Sequence, residues 1–373
     1  MMKCSRRLIG SDIRKGIQRE FLDGYQHVTI DSQTQRTGLP PAMASTTFQC
    51  YLVTKDDQGK FKAELAERSL DDLPAGDVLV RVAYSSLNYK DALSATGHPG
   101  VTRKFPHVPG IDAAGTVAES SSTDWHAGDE VIVTSFDLGQ NTWGGFGEYI
   151  RVPSAWVVPK PAGLTLRESM ICGTAGLTAA LSLQALVDHG VTPERGEIVV
   201  TGAAGGVGSL AVALLAKAGY RVVASTGKPA AHELLLRLGA ARVVGREEVH
   251  DMSEKPLLST RWAGAVDTVG GRTLATLVRS AQRYGVITAC GLVGGTELPL
   301  SIYPFIIRGV ELVGIDSAEC PQDRRRAIWN KLAAEWKPAE LEPLVTEVRL
   351  GQLAPHIQEI LAGRVTGRVV VRH

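Results

Sequence analysis

A glycine-rich run joins an apolar strand to an apolar helix near the middle of the chain, and it constrains the fold more than any other segment. Residues 197–201 read EIVVT, and the run TGAAGGVGSLAVALLAKAGY covers residues 201–220. A strand, a glycine turn and a helix form the context of a dinucleotide-binding fingerprint, although Ala203 replaces its usual first glycine. Gly205 permits a tight turn close to a pyrophosphate, and Gly208 permits close packing of the helix on the strand. The alternative is a glycine-rich turn that binds no ligand.

The segment after this helix indicates which nucleotide is bound. Residues 220–226, YRVVAST, form a short apolar run that suits a buried parallel strand. Proteins that bind NAD place an Asp or Glu near the end of that strand, on the ribose 2′-hydroxyl. This chain has Ser225-Thr226-Gly227-Lys228 there, and Arg242 follows the next helix as a second cation. Because hydroxyls and cations attract a 2′-phosphate, we predict NADPH as the cofactor in preference to NADH.

Length and net charge limit the classes of protein that the chain can represent. Its 373 residues are enough for two domains. The 40 Lys and Arg residues almost balance the 39 Asp and Glu residues, which leaves a formal charge of +1. This balance gives no reason to expect a nucleic-acid or membrane surface. We also expect no apolar run near the roughly 20 residues that span a bilayer.

The N-terminal residues differ from the rest of the chain. Residues 1–44 mix basic and acidic side chains without the apolar stretch of a secretory signal. We expect them to be a disordered leader, or to precede a true start at Met43. The five cysteines form no Cys-x-x-Cys pair, so neither a zinc lobe nor a disulfide framework is predicted. A reducing, cytoplasmic location is expected.

The order of strand-like and helix-like segments predicts two folded parts. Residues 45–168 contain short strand-like runs separated by Gly, Pro and Asp, which is typical of a compact β-rich domain. Residues 169–314 alternate helices and strands, including a helix over 272–283 and a strand over 285–290. This alternation is typical of an α/β fold with a doubly wound parallel sheet. A basic helix is predicted over residues 321–336, before a final strand.

Seven segments, in order and at matching spacing from about residue 46 to the C-terminus, resemble a known family. They are SSLNYKDALSATG (85–97), PGIDAAGTV (109–117), WGGFGEY (143–149), VVTGAAGGVGSLAVALLAKAGYRVVASTGK (199–228), DTVGG (267–271), ACGLVGG (289–295) and RGVELVGIDS (308–317). The chain resembles the acryloyl-CoA reductase group of zinc-free medium-chain dehydrogenases/reductases, whose members are often called quinone oxidoreductases.

This resemblance implies a fold and an activity. A GroES-like domain is built from residues 45–168 and completed by residues 315–373, and a Rossmann domain lies between them. The implied activity is NADPH-dependent reduction of the carbon–carbon double bond of an α,β-unsaturated thioester, by a homodimer. Zinc-containing relatives use a Cys and a Gly-His-Glu motif, whereas this chain has Asn88-Tyr-Lys-Asp91 and Gly110-Ile-Asp112. We therefore expect no catalytic metal.

The resemblance also assigns candidate residues near the reacting atoms. Tyr89 contacts the nicotinamide end in similar proteins, and its hydroxyl is a candidate donor to the cofactor or to an enolate. The alternative is that Tyr89 packs the wall of the cleft. Asn88 is either an amide donor in the active site or a turn residue after the preceding strand. Asp91 is expected to cap or orient this segment rather than to act as an acid.

The remaining cofactor contacts also follow from the resemblance. The expected pyrophosphate contacts are Ala204, Gly205, Gly206 and Val207, beside Gly208. The expected 2′-phosphate contacts are Ser225, Thr226, Gly227, Lys228 and Arg242. The expected contacts to the nicotinamide half are Leu292, Ile306 and Ser317, with the backbone of Gly363 closing the pocket. The alternative interpretation of Leu292 and Ile306 is that both side chains are buried in the hydrophobic core.

Candidate substrate contacts and alternative functions stay open. Phe136, Asn141 and Trp143 lie in a glycine-flanked loop that either overhangs the cleft or packs its own hairpin. The run Arg324-Arg-Arg326 either meets the phosphates of coenzyme A or forms a solvated helix face. A quinone or general enone reductase is the alternative enzyme. An NADPH-binding protein without turnover is the alternative outside enzymes.

Overall fold

Seven strands form the first part of the described chain, as its short apolar runs and turn residues predict. The computed structural model describes residues 47–373, so the predicted leader and the alternative start at Met43 lie outside the described residues. The strands are β1 (Thr47–Lys55), β2 (Phe61–Ser69), β3 (Val78–Leu87), β4 (Asp112–Ser120), β5 (Glu130–Thr134), β6 (Tyr149–Val152) and β7 (Val157–Pro159). β1 and β2 pair antiparallel as a separate two-stranded sheet, and β3 begins a second sheet with β4.

The middle of the chain builds a parallel sheet of six strands. They are β8 (Glu197–Val200), β9 (Arg221–Ser225), β10 (Arg242–Val244), β11 (Trp262–Asp267), β12 (Ala281–Ala289) and β13 (Glu311–Gly314). Their order is β10-β9-β8-β11-β12-β13, and every neighbouring pair is parallel. The order reverses between β8 and β11, which is where doubly wound folds open a crevice for a ligand. The predicted doubly wound α/β fold is confirmed.

The last two strands return the chain to the first sheet. They are β14 (Val345–Arg349) and β15 (Arg368–Arg372). β15 pairs antiparallel with β3, and the sheet has the order β14-β15-β3-β4-β5-β7. β6 also pairs antiparallel with β3, as a branch of this sheet. Sequence-distant segments therefore share one sheet, and the C-terminal residues belong to the β-rich part of the protein.

Eight α-helices accompany the sheets within the described residues. They are α1 (Tyr89–Ala95), α2 (Leu166–Asp188), α3 (Gly206–Lys217), α4 (His232–Arg237), α5 (Gly271–Ser280), α6 (Tyr303–Arg308), α7 (Gln322–Ala333) and α8 (Leu353–Leu361). One hydrophobic core joins apolar side chains of α2 and α3 to the parallel sheet, and it includes Ile132 of β5 and Val370 of β15. This core therefore crosses from the Rossmann-like part to the β-rich part.

Helix α2 is the central helix of this shared core. It is long and apolar enough to span a bilayer, with a mean hydropathy of 1.6 over 18 residues, yet 83% of that window is buried inside the protein. The expectation that no apolar run reaches this length was therefore wrong. Length and hydropathy alone do not separate a buried core helix from a membrane helix. The predicted boundary at 168/169 falls in the first turn of α2, which contributes to both parts of the molecule.

Two predicted helices end earlier than expected. The helix predicted over 272–283 stops at Ser280, and the following residues extend β12 to Ala281. Ala281 pairs with Trp262, and the register then shifts before Gly264 pairs with Val286. The irregular pairing explains why no simple strand pattern is visible over 281–284. The helix predicted over 321–336 ends at Ala333.

Candidate cofactor and active site

The turn between β8 and α3 exposes an uncapped helix N-terminus. Gly202 has a φ of +57°, and the Gly205 N–H donates to the Gly202 carbonyl at 2.9 Å. A Cβ on Gly208 would lie 2.3 Å from the same carbonyl oxygen, so this position accepts only glycine. No side chain caps α3, and its first N–H groups, at Gly206, Val207 and Gly208, lack partners within the helix. The turn therefore offers an anion site at the carboxyl edge of the parallel sheet.

Asn88 connects β3 to α1, and its amide is fully used by neighbouring residues. Its side-chain nitrogen donates to Asp112 at 2.8 Å and to Asp91 at 3.1 Å, and its side-chain oxygen accepts from Arg368 at 3.1 Å. The Asn88 backbone N–H donates to the Asp91 carboxylate at 2.7 Å, which caps α1 as expected for Asp91. These contacts favour the alternative in which Asn88 is a turn residue after β3, and its role as a donor to reacting atoms stays a prediction. The structure places the side chain of Tyr89, which is 45% exposed, at the start of α1.

A buried carboxylate organises the surroundings of Asn88. Asp112 is completely buried and accepts hydrogen bonds from the hydroxyls of Ser86 and Thr174, each at 2.6 Å. The Thr174 backbone N–H also donates to Asp112, at 2.9 Å. This N–H faces Asp112 because Gly173 has a φ of +52° and breaks the regular course of α2. Four sequence-distant segments therefore meet at one carboxylate.

Arg368 supplies the counter-charge and extends the network to the cofactor turn. Its guanidinium lies 3.8 Å from Asp112 and donates to Ser86 Oγ at 2.8 Å. Burial lowers the pKa of Arg368, while Asp112 opposes that shift. A Cβ on Gly206 would lie 2.9 Å from the Arg368 guanidinium, so the β-rich part and the first turn of α3 are in direct contact here. Sequence reasoning missed Arg368 and Asp112 as site residues, since nothing local marks them.

Asp91 is the second buried carboxylate of this network. Burial and the nearby charge of Asp112 raise its pKa to about 7, against the stabilising N–H donors of Asn88 and Ile111. Both donors are short, at 2.7 and 2.8 Å. Asp91 therefore titrates near neutral pH although it is closed off from solvent.

The segment after β9 contains one predicted phosphate ligand that is accessible to solvent and one that is buried. The side chain of Lys228 is partly exposed, whereas the hydroxyl of Ser225 is buried and donates to the Gly245 carbonyl at 3.3 Å. The Thr226 hydroxyl accepts from the Lys228 backbone N–H at 3.1 Å and so shapes the turn. Burial, and then the charge of Arg246, lowers the pKa of Lys228.

Arg242 is engaged by a carboxylate, so its contact to the 2′-phosphate stays a prediction that its position does not favour. Its guanidinium pairs with Glu197 at 2.8 Å, at the amino end of β8, and lies 5.7 Å from the ring centroid of Trp262. The phosphate-binding turns lie at the opposite, carboxyl end of these strands. Arg246 lies closer to this segment, since a Cβ on Gly227 would lie 2.4 Å from its Nε. Lys228 and Arg246 have no carboxylate partner within residues 47–373.

A cleft of about 470 Å³ opens beyond the ends of β12 and β13 and is lined by residues 289–292 and 314–316. Leu292 lies in this lining and is 65% exposed. Ser317 directly follows the lining residues 314–316, and its hydroxyl accepts from Thr178 at 2.8 Å. Ile306 projects from α6 with 72% exposure and is not part of the lining. The alternative that Leu292 and Ile306 are core residues is therefore wrong, and the nicotinamide contact of Ile306 stays a prediction.

The C-terminal segment touches the cofactor turns beyond Gly363. The Gly367 N–H donates to the Ala204 carbonyl at 3.0 Å, and the Lys228 ammonium donates to the Val365 carbonyl at 2.5 Å. Gly363 itself is exposed, with a φ of +69° after α8. Residues 365–367 therefore close this side of the site, and a backbone contact of Gly363 to the cofactor stays a prediction.

The loop after β5 packs on the protein more than it overhangs the cleft. Phe136 stacks on Trp156 with ring centroids 5.5 Å apart. Trp143 Nε1 donates to the Pro106 carbonyl at 3.3 Å, and the Asn141 amide donates to Asp137 at 2.9 Å. These contacts hold the loop against neighbouring segments, and a contact of its side chains to substrate stays a prediction.

Known proteins share this architecture over almost their full length. The alcohol dehydrogenase GroES-like domain family matches residues 74–162, and the zinc-binding dehydrogenase family matches residues 206–334. The acrylyl-CoA reductase AcuI of Ruegeria pomeroyi is 45% identical over 87% of this chain and 98% of that protein. The chain belongs to the medium-chain dehydrogenases/reductases. The resemblance found in the sequence is confirmed.

Two further members of this family are similar in sequence and in structure. The Bacillus subtilis protein named putative quinone oxidoreductase YhfP is 46% identical over 88% of this chain and 99% of that protein. Its structure with NAD bound has a TM-score of 0.86 and 46% identity, covering 88% of this chain and all of that one. The yhdH oxidoreductase of Salmonella enterica in complex with NADP has a TM-score of 0.85 and 45% identity, covering 87% and 99%.

The two stretches that correspond to zinc ligands in zinc-containing relatives carry other residues in this chain. No group of three or more His, Cys, Asp or Glu side chains suited to a metal occurs among residues 47–373. Asn88 and Asp112, in the two stretches that hold ligands in zinc relatives, are engaged by each other, Thr174 and Arg368. The residues present therefore fit a hydrogen-bonded network rather than a metal.

Replacing Asp91 by Asn should change how stability depends on pH. The folded-state pKa of about 7 exceeds the ordinary value of 3.8. Between these two pH values, the folded protein therefore binds more protons at Asp91 than the unfolded chain does. The free energy of unfolding therefore falls as pH rises through this window, by at most about 1.4 kcal/mol per pH unit from this group. In urea titrations at several pH values, Asp91→Asn should lose this contribution to the slope.

Asp56→Asn is the matched control for that titration series. Asp56 also accepts two backbone N–H groups, from Gln58 at 2.9 Å and Lys60 at 2.8 Å, but it is exposed. Its variant should keep the wild-type slope between pH 4 and 7, whatever its effect on absolute stability. Equal slopes for wild type and Asp91→Asn would show that Asp91 is ionised throughout this range.

Proposed function

We propose that this chain reduces the carbon–carbon double bond of an α,β-unsaturated acyl thioester with NADPH, and that acryloyl-CoA is its preferred substrate. The observation that carries the proposal is the alignment of three features along one crevice. The uncapped start of α3 suits a pyrophosphate, the pair Lys228 and Arg246 suits a 2′-phosphate, and the cleft beyond β12 and β13 suits the nicotinamide half. The identity of 45% to an acrylyl-CoA reductase supports the choice of substrate.

The residues of this chain fit the steps that such a reduction requires. When bound, NADPH supplies the hydride that the β-carbon of the thioester receives. Negative charge then develops on the thioester oxygen, which needs a hydrogen-bond donor. A proton from a side chain or from water must finally reach the α-carbon to complete the reduction. Tyr89 is the proposed donor, because its hydroxyl makes no hydrogen bond within residues 47–373 and its side chain is 45% exposed at the start of α1. Asn88 positions Tyr89 by starting α1 at a fixed point.

A quinone or enone reductase is the second candidate, favoured by the 46% identity to YhfP. An assay of NADPH oxidation with acryloyl-CoA, crotonyl-CoA, a benzoquinone and a simple enone separates these functions. We expect the highest kcat/KM with acryloyl-CoA, because the thioester both activates the double bond and binds through coenzyme A. Rapid oxidation with the quinone alone would favour the second candidate. Tight NADPH binding without oxidation by any acceptor would identify a binding protein.

Alanine substitutions should locate the 2′-phosphate site. Lys228→Ala and Arg246→Ala should each raise the KM for NADPH by about tenfold or more, because each removes a charge-assisted hydrogen bond to the phosphate. The KM for NADH should change little, since that nucleotide lacks the phosphate. Steady-state kinetics with both nucleotides and one acceptor measures the ratio.

Arg242→Ala is the control for this comparison, because Arg242 is paired with Glu197 away from the proposed phosphate. Its ratio of the two KM values should equal that of the wild type. A change of the ratio for Arg242→Ala, with none for Arg246→Ala, would restore the assignment made from the sequence.

We infer that two copies associate as a homodimer through the edge of the parallel sheet, in a cytoplasmic setting. β13 is an edge strand with one unpaired side. The preceding stretch carries apolar side chains that are 50 to 72% exposed, namely Leu292, Val293, Ile302, Tyr303 and Ile306. A cluster of exposed apolar side chains beside an unpaired strand edge is typical of an interaction surface. The four cysteines of the described residues are free thiols, in keeping with a reducing compartment.

Sedimentation equilibrium tests the association. The wild type should sediment as a dimer, and Ile306→Glu should shift it toward the monomer because a charge would be buried at the contact. Leu236→Glu is the control, since Leu236 is 52% exposed on α4 at a different surface. A monomeric wild type, or a dimer that Leu236→Glu disrupts as strongly, would contradict this interface.

A further inference from the structure

Arg325 is a fully buried cation in the first half of α7. One end of its guanidinium donates to the carbonyl and to the hydroxyl of Thr134, both at 3.0 Å. The other end donates to the carbonyls of Ser317 at 3.0 Å and Ala318 at 2.9 Å. No carboxylate lies within ion-pair distance of it anywhere in residues 47–373. The middle residue of the run 324–326 is therefore neither solvated nor free to bind coenzyme A.

The same guanidinium holds a strained corner of the chain. Ser135 and Phe136 have φ angles of +66° and +50°, which non-glycine residues rarely adopt. The Arg325 guanidinium lies 4.3 Å from the ring centroid of Phe136, whose backbone N–H donates to the Ala318 carbonyl at 3.3 Å. Trp156 covers the ring of Phe136 with nearly parallel planes, at 7°. The corner persists because these contacts fix it from several sides.

The two segments that Arg325 joins lead directly to the cleft and the buried network. Ser135 shares a hydrogen bond of 2.9 Å with Thr174, whose hydroxyl binds Asp112. Ser317 follows the cleft residues 314–316, and its hydroxyl accepts from Thr178. One guanidinium therefore sets the separation between the end of β5, in the β-rich part, and the segment after β13, in the Rossmann-like part.

We propose that Arg325 is a positioning residue of the reductase, which fixes the segment 317–318, next to the cleft residues 314–316, relative to the end of β5. It does so by tying Thr134 and Phe136 to Ser317 and Ala318 through one rigid planar fork. The inference rests on the proposed function, in which residues 289–292 and 314–317 receive the nicotinamide half. Lys cannot replace the fork, because an ammonium has no planar set of donors that spans both segments.

Arg279 is the matched control for a purely structural role. It is 5% exposed and likewise donates to backbone carbonyls, those of Ser253 at 2.8 Å and Lys255 at 2.9 Å. These carbonyls belong to a loop that does not line the cleft. Arg325→Lys and Arg279→Lys should both lower the melting temperature, so stability alone does not distinguish the two roles.

The distinguishing experiment measures kcat and two affinities for wild type, Arg325→Lys and Arg279→Lys. Arg325→Lys should lower kcat by about tenfold to a hundredfold, as small misplacements of reacting groups do. It should weaken binding of NADP⁺ but leave the affinity for adenosine 2′,5′-bisphosphate, which lacks the nicotinamide half, within about twofold. Arg279→Lys should keep kcat and both affinities near the wild-type values.

Thr134→Val provides a milder second variant in case Arg325→Lys does not fold. It removes only the hydroxyl acceptor of Arg325, keeps a β-branched residue in β5, and should shift kcat and NADP⁺ affinity in the same direction by a smaller factor. Equal behaviour of the Arg325 and Arg279 variants, or parallel loss of both affinities, would overturn the proposal. If none of the tested acceptors supports oxidation of NADPH by the wild type, the proposed function fails. The two affinities alone then decide the role of Arg325.

Discussion

The structure depends on the burial of Asp112 and Arg368 against each other. Two charges removed from water at a separation of 3.8 Å are stable only if hydrogen bonds satisfy their remaining atoms. Ser86, Asn88 and Thr174 supply those bonds, so the ends of β3 and β15, the start of α1 and the kink of α2 are fixed relative to one another. Loss of any one donor would leave a hydrogen-bonding position of a buried charge without a partner, which lowers the free energy of unfolding.

The proposed phosphate end of the site uses charge in the opposite way. Burial, and then the charge of Arg246, lowers the pKa of Lys228, and neither residue forms an ion pair with a carboxylate in residues 47–373. A dianion placed between the two cations would relieve their repulsion and receive two charge-assisted hydrogen bonds. The buried pair is thus satisfied within the protein, whereas the exposed pair gains its full stabilisation only with a ligand.

The sequence predicted local features well and long-range pairings poorly. The glycine turn and the alternation around it are local patterns, and they placed the crevice correctly. β2 reads FKAELAERS, a composition that favours helix, yet it is a strand because all of its residues pair with β1. Arg242 and Arg246 are four residues apart, and only the register of β10 decides which one reaches Gly227. Likewise, Asn88 is saturated by Asp112 and Arg368, which no local pattern connects to it.

The path from the start of α3 to Tyr89 runs through Arg368 and Asn88. Arg368 fills the space that a side chain at Gly206 would occupy, and it holds the Asn88 oxygen at 3.1 Å. Asn88 in turn fixes the first residue of α1, so the backbone of Tyr89 is connected to the proposed pyrophosphate site through these contacts. Zinc relatives fix the corresponding stretches with metal ligands. Here a hydrogen-bonded ion pair provides the same preorganisation, and a donor aimed in advance at developing charge needs no rearrangement during the reaction.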